Sequence, residues 1–288
     1  MKSGPSSPTE YPAAAERRLS APSLLWMLCF FVGPAVFLFS TAFRPATSLG
    51  GIGGGWTLES WGLLHDAAVL KALWRTIWIC LLTVGGCVML AVPVAWRITR
   101  MPDRWRQRCL ILLVLPFWTS FLVRVYSWRV LLQSQGPLSQ WLVSAGVMSP
   151  DGSLLYNQGA VLLVMIYTYL PLAILPVCSA MEKFDMNLFE AARDLGASRS
   201  AAFFRVVLPN TARGITAAAL IVGIPSLGSY VVPEMVGGQD SEMIGTKIAH
   251  KLFADRHLPQ AAVLASLLAA CALPAIMLAL RNKETKTR

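Results

Sequence analysis

The chain has 288 residues, of which 55% are hydrophobic and 14% charged, and its mean hydropathy is +0.56. Soluble domains average about 45–50% apolar and about 25% charged residues, so this composition excludes an ordinary soluble protein and fits an integral membrane protein. The formal net charge of +10 follows from basic loops that meet anionic lipid and needs no nucleic acid.

The first 23 residues, rich in Pro, Ser and Ala, read as a disordered tail. The Arg17-Arg18 pair precedes an apolar run, Leu24 to Phe43, that is too long for a typical signal peptide, so a retained anchor is expected rather than cleavage near Ala42. Further runs cover about Leu73 to Trp96, Leu110 to Leu132, Ala160 to Met181, Ile215 to Val232 and Gln260 to Leu280. The fifth is interrupted by Pro225 and Gly228. A helix needs about 20 apolar residues to cross a bilayer, and each run is too long and continuous for a barrel strand. An all-α polytopic membrane protein with six transmembrane helices is therefore predicted.

Lys and Arg set the orientation, because short cytoplasmic loops are enriched in them. An inside N-terminus gives the cytoplasm Lys2, Arg17 and Arg18, then Arg97, Arg100, Arg104, Arg106 and Arg108. It adds Lys183, Arg193, Arg199, Arg205 and Arg213, then Arg281, Lys283, Lys286 and Arg288. The opposite face keeps Arg44, Lys71, Arg75, Lys247, Lys251 and Arg256, and the stretch from Gln133 to Gln158 has no basic residue. Both termini are expected in the cytoplasm.

Catalytic chemistry is not indicated. The six cysteines lie in or beside spans without the close pairs of a zinc site or disulfide framework, and read as small packing residues. His65, His250 and His257 fall on the outer face, and no cysteine or placed carboxylate completes a metal set. Gly245-Thr246-Lys247 has the wrong order for a phosphate loop, so the chain is not expected to bind ATP by that motif, or any cofactor.

A polar segment between the fourth and fifth runs carries the strongest signal. Asn187 is placed to cap a short helix bearing Leu188, Glu190, Ala191, Ala192, Asp194 and Leu195, and Gly196 breaks it. A second helix, Ser198 to Leu208, puts Ala202, Phe203, Val206 and Val207 on one side and ends at Pro209. Two short helices joined at a glycine make a compact knob, with Glu190 offered to a basic partner group. The alternative is an amphipathic linker on the lipid surface.

The order Glu190-Ala191-Ala192, Gly196, Val206 and Leu208-Pro209 closely resembles the EAA signature of binding-protein-dependent ABC importer permeases, with Val206 where the family has Ile. Two further blocks, Leu115 to Trp128 (LPFWTSFLVRVYSW) and Pro225 to Gly238 (PSLGSYVVPEMVGG), the latter followed by Met243-Ile244-Gly245, are similar to the B-type permease subunit of spermidine/putrescine importers. The resemblance implies a type I (MetI-like) permease core over residues 71–281, with a coupling segment at 182–212 and a short cytoplasmic tail at 282–288.

It also implies partners: a cytoplasmic ATP-binding subunit dimer carrying ATP and Mg, a second permease subunit, and an extracytoplasmic solute-binding protein, all at a bacterial inner membrane. The second subunit is a paralogue or a second copy. Glu190 to Gly196 would be the coupling helix, with Leu208 and Pro209 completing the ATPase-coupling set.

A translocation path needs polar or backbone groups that face a cavity rather than lipid. Pro225, Gly228 and Pro233 suggest a broken fifth span whose freed carbonyls, with Ser226, Ser229 and Tyr230, line such a cavity, or else a kink used only for packing. In the third span Phe117, Phe121, Arg124 and Trp128 recur at helical spacing among Trp118, Thr119, Ser120 and Tyr126. These aromatics either contact a cationic solute or form an interfacial belt. Arg124 needs a partner or water, or snorkels outward, and Glu234 is the leading acid to pair with it or to meet a cation.

Few carboxylates lie in the spans, so most selectivity is expected in the binding protein. Ferric iron, opine, sulfate or thiamine remain alternative solutes. An ion-coupled secondary transporter would show inverted repeats and intramembrane titratable groups, which the sequence lacks.

Overall fold

The computed structural model describes residues 21–47, 51–147, 149 and 152–284. Among them the chain is helical throughout, with only an isolated backbone bridge between Ala46 and Ile52. The helices are α1 (Ala21–Thr41), α2 (Ala67–Ile98), α3 (Asp103–Val114), α4 (Phe121–Leu132), α5 (Pro137–Ser144) and α6 (Gln158–Glu182). They continue with α7 (Met186–Asp194), α8 (Arg199–Asn210), α9 (Ala212–Leu227), α10 (Val231–Val236), α11 (Ile244–Ala249) and α12 (Leu258–Glu284).

Among the described residues three helices, α1, α2 and α6, are long and apolar enough to cross a membrane, and the number rises to as many as five if each of two bent helix pairs counts as one span. The last helix, whose apolar stretch is Leu258–Pro274, stands where the sequence places a sixth. The tail expected over residues 1–23 lies outside the described residues up to position 20, and residues 21–23 already belong to α1. The last four residues, 285–288, also lie outside them.

The third run is not the single span that its apolarity suggests. Helix α3 leads into a tight 3-10 turn at Leu115–Trp118, and the two arms around it, Asp103–Trp118 and Phe121–Ser144, meet at 91°. Pro116 has no N–H for a continuing helix, and Thr119 and Ser120 adopt extended backbone (ψ 148° and 136°). The Pro116 carbonyl accepts from both the Thr119 N–H (3.2 Å) and the Thr119 hydroxyl (2.7 Å), which closes the turn at the break.

Helices α2, α6 and α9 form the core. Each buries a ridge of residues four apart: Cys87, Ala91 and Ala95 on α2, Met165, Tyr169, Ala173, Val177 and Met181 on α6, and Gly214, Ala218, Val222 and Ser226 on α9. Residues at that spacing lie on one helix face, and small side chains there let helices approach closely in lipid. Gly214 shows how closely. A methyl group at its α-carbon would run into the Ala180 side chain and the Pro176 carbonyl of α6.

Cys80, Cys87 and Cys178 are buried in this core as packing residues, whereas Cys29 is exposed on α1. A polar tie closes the bundle at the other end. The buried Ile244 N–H that opens α11 donates to Thr76 Oγ1 of α2 at 2.8 Å, and that hydroxyl donates to the Ala72 carbonyl at 2.7 Å. Arg75, one residue earlier, donates to the Glu242 carbonyl at 3.3 Å.

Candidate coupling and translocation sites

The polar segment folds as two capped helices. The Asp185 side chain, not Asn187, caps α7 by accepting from the Asn187 N–H at 3.0 Å. The aspartate stands one residue before the first helical position, where its extended backbone turns the carboxylate onto the free N–H groups. At the other end Ala197 N–H donates to the Ala192 carbonyl (3.1 Å) and Gly196 N–H to the Arg193 carbonyl (2.9 Å). That pair of bonds is a Schellman closure, and it places Gly196 at φ +90°, a conformation that side chains with a β-carbon resist.

Ser198 caps α8, its Oγ accepting from Ala201 N–H at 3.2 Å. Helix α8 continues to Asn210 rather than ending at Pro209. The ring of Pro209 would crowd the carbonyl four residues back, and a widened π turn over Phe203–Val207 precedes it, with Leu208 N–H reaching the Phe203 carbonyl. The Asn210 side chain donates to the Val206 carbonyl at 2.7 Å. The chain then bends by 67° into α9.

One face of this hairpin is anchored. Phe189, 7% exposed, clusters with Ala202 and Val207, and Trp96 at the end of α2 packs its ring 5.5 Å from Phe189 and 5.0 Å from Phe203. Arg100 lies over the Trp96 ring at 3.2 Å from its centroid. Desolvation in this packing pulls Arg100 below its usual pKa, and it remains a cation. Arg106 reaches Glu182 at the end of α6 (3.8 Å) and Asp103 (3.2 Å).

The other face is open: Glu190, Ala191, Asp194, Gly196 and Pro209 are exposed, and Leu195 is 89% exposed. Ala192 and Leu208 are partly covered. Phe189 and Trp96 went unread in the sequence, although an aromatic one residue before Glu190 on an otherwise polar helix was the available signal.

The path candidates divide. On the bent third span Trp118 is 85% exposed, Thr119, Ser120 and Tyr126 are exposed, and Trp128 packs on Tyr167 of α6 at 5.1 Å. Arg124 does not pair with Glu234. Its guanidinium lies over Phe117 at 4.9 Å, and its Nε is buried without a hydrogen-bond partner. Glu234 turns to His250 instead, 3.1 Å away, although α10 packs directly against α4.

The fifth span does break, but after Pro225: α9 runs through the proline to Leu227, and the chain restarts at Val231. Ser226 faces no cavity within this chain. It is 0% exposed, with its Oγ donating to the Gly223 carbonyl (2.9 Å) and lying 3.0 Å from Cys80 Sγ. Ser229 is buried as well, and the Pro225 carbonyl accepts from the Tyr169 hydroxyl at 3.4 Å. Helix packing within the core thus takes up these polar groups. Tyr230 alone of the three is exposed.

Long apolar helices around a small-residue core, with a capped polar hairpin projecting between two of them, define a multi-span membrane protein with a polar elbow between two spans. The chain belongs to the family of binding-protein-dependent transport system inner membrane components, whose profile matches residues 81–286. It is 32% identical over 223 residues to the spermidine/putrescine transport system permease protein PotB of Salmonella typhimurium (strain SL1344), covering 77% of this chain and 78% of that one.

Its fold is shared with a bacterial ABC transporter involved in import of the acidic polysaccharide alginate (TM-score 0.76, 16% identity, 96% of each chain). A second alginate transporter structure, in complex with a periplasmic protein bound to an alginate pentasaccharide, matches at TM-score 0.69 and 16% identity over 96% of each chain.

Proposed function

We propose that this chain forms the translocation path of an ATP-driven importer for polyamine-class cations, and that the α7–α8 hairpin transmits force from a separate ATPase. The carrying observation is the hairpin itself. Its tip offers Glu190, Ala191 and Leu195 to a partner, while Phe189 fixes the base to α2 through Trp96. Buried aromatic packing at the base makes a lever stiff, and the exposed apolar tip is the kind of surface a partner protein covers.

In this reading both termini are cytoplasmic, two ATP-binding subunits grip the hairpins of this chain and of a paralogous permease, and an external binding protein delivers the solute. ATP-driven closure of the ATPase pair draws the hairpins together and tips the core helices. The ATP and Mg belong to the ATPase. Similarity to PotB supports the polyamine assignment.

One observation favours a second reading. Arg124, unpaired by any carboxylate among the described residues, suits an anionic solute better than a polyamine.

Uptake of labelled spermidine, putrescine and sulfate by the reconstituted transporter, with its cognate receptor and ATP, tests both. ATP-dependent polyamine uptake abolished by Glu190→Ala supports the proposal. Uptake of sulfate alone would transfer the assignment to anions, and unchanged uptake by the variant would remove Glu190 from the coupling.

A further inference from the structure

A groove of about 630 Å³ separates the end of α2 from the hairpin, on the face that the charge pattern assigns to the cytoplasm. Its walls include Arg100, Arg193 and Arg199, with Trp96, Pro93 and Phe204 on the apolar side. Among the described residues none of the three arginines has a carboxylate within ion-pair distance. Glu190, the one acid in the wall, pairs with none of them either. The groove therefore holds more positive than negative charge, uncompensated by the protein.

Its apolar side continues upward. Pro93 shares a helix face with Leu90 and Met89, both exposed, and Phe204, which lines the groove with Pro93, is exposed too. Seven residues of helix, about 10 Å, separate Met89 from Trp96, so a molecule with its charge at the arginines has its apolar part beside Met89. A small soluble anion would leave that apolar track unused, whereas a charged head with hydrocarbon tails uses both.

We propose that this groove binds an anionic phospholipid of the cytoplasmic leaflet, with its phosphate held among Arg100, Arg193 and Arg199 and its acyl chains lying along Pro93, Leu90 and Met89. Guanidinium groups suit phosphate oxygens by geometry as well as charge. The lipid then forms a third wall between α2 and the hairpin. This site is independent of which solute the transporter carries.

The test uses the full chain purified in detergent and a photoreactive phosphatidylglycerol, with a matched phosphatidylcholine probe. Preferential labelling of peptides spanning Arg193 to Phe204 by phosphatidylglycerol is expected. The Arg193→Gln/Arg199→Gln pair should lose it, while Arg104→Gln, exposed outside the groove, should keep it.

Circular dichroism and gel filtration identify a variant that has simply unfolded. In that event single Arg193→Lys, which keeps charge and loses the fork, serves instead and should weaken labelling. Equal labelling by phosphatidylcholine, complete displacement by inorganic phosphate, or loss of the lipid when the ATPase assembles would each overturn the proposal.

Discussion

Phe189 and Trp96 meet edge to face, 5.5 Å between ring centroids, and this contact joins the polar hairpin to the end of α2. Motion of the hairpin is thereby motion of a core helix. Phe189→Ala should cost about 3 kcal/mol of local stability, toward the low end for a buried Phe because the site lies at the surface of the bundle. ATP hydrolysis by the assembled transporter should persist while uptake falls. Parallel measurement of phosphate release and vesicle uptake checks this, and equal loss of both would mean that the contact serves assembly instead.

Gly196 sits at φ +90° with open space around its α-carbon, so the demand is on its backbone and not on its volume. Gly196→Val should cost about 1–2 kcal/mol through left-handed strain and loosen the Schellman closure, whereas Gly196→Asn should cost less. Hydrogen exchange at the Ala197 N–H reports the closure. Equal protection in all three proteins would contradict the role assigned to the glycine.

Thr76 accepts the buried Ile244 N–H, and a donor left unpaired there costs about 1–3 kcal/mol. Thr76→Val should lower the thermal midpoint, and Thr76→Ser, which keeps the hydroxyl, should restore most of it. A Val variant as stable as the parent would show that the N–H finds another acceptor.

Glu234 pairs with His250, and Arg124 lies on Phe117. A double-mutant cycle of Arg124→Gln with Glu234→Gln should therefore be additive to within about 0.5 kcal/mol, while Glu234→Gln with His250→Gln, which removes the 3.1 Å contact, should couple by more than that. Coupling confined to the first pair would reverse the assignment.

Much of this was legible in the sequence. Apolar run lengths marked the helices, and the Glu190-Ala191-Ala192-Gly196 order marked the hairpin, because capping and left-handed closure are local and follow residue type. The break at Thr119 was missed although Pro116 was visible, since prolines inside membrane helices are often absorbed, as Pro171 and Pro176 are in α6. Cavity and packing roles for Ser226 could not be told apart in the sequence because an apolar span has no polar face to set its rotation. Its direction depends on Cys80 and Gly223 across and along the packing, and only the spacing of Gly214, Ala218 and Val222 hinted at which side was inward. Asp185 displaced Asn187 as the cap by two residues, within the range over which either side chain suits the role.

The central claim is that the exposed hairpin tip touches the motor. A photoreactive residue in place of Leu195, in the fully assembled transporter, measures this directly. The account predicts a cross-link to the ATP-binding subunit whose yield changes with nucleotide. A cross-link only to the external binding protein, or none to the ATPase in any nucleotide state, would contradict it.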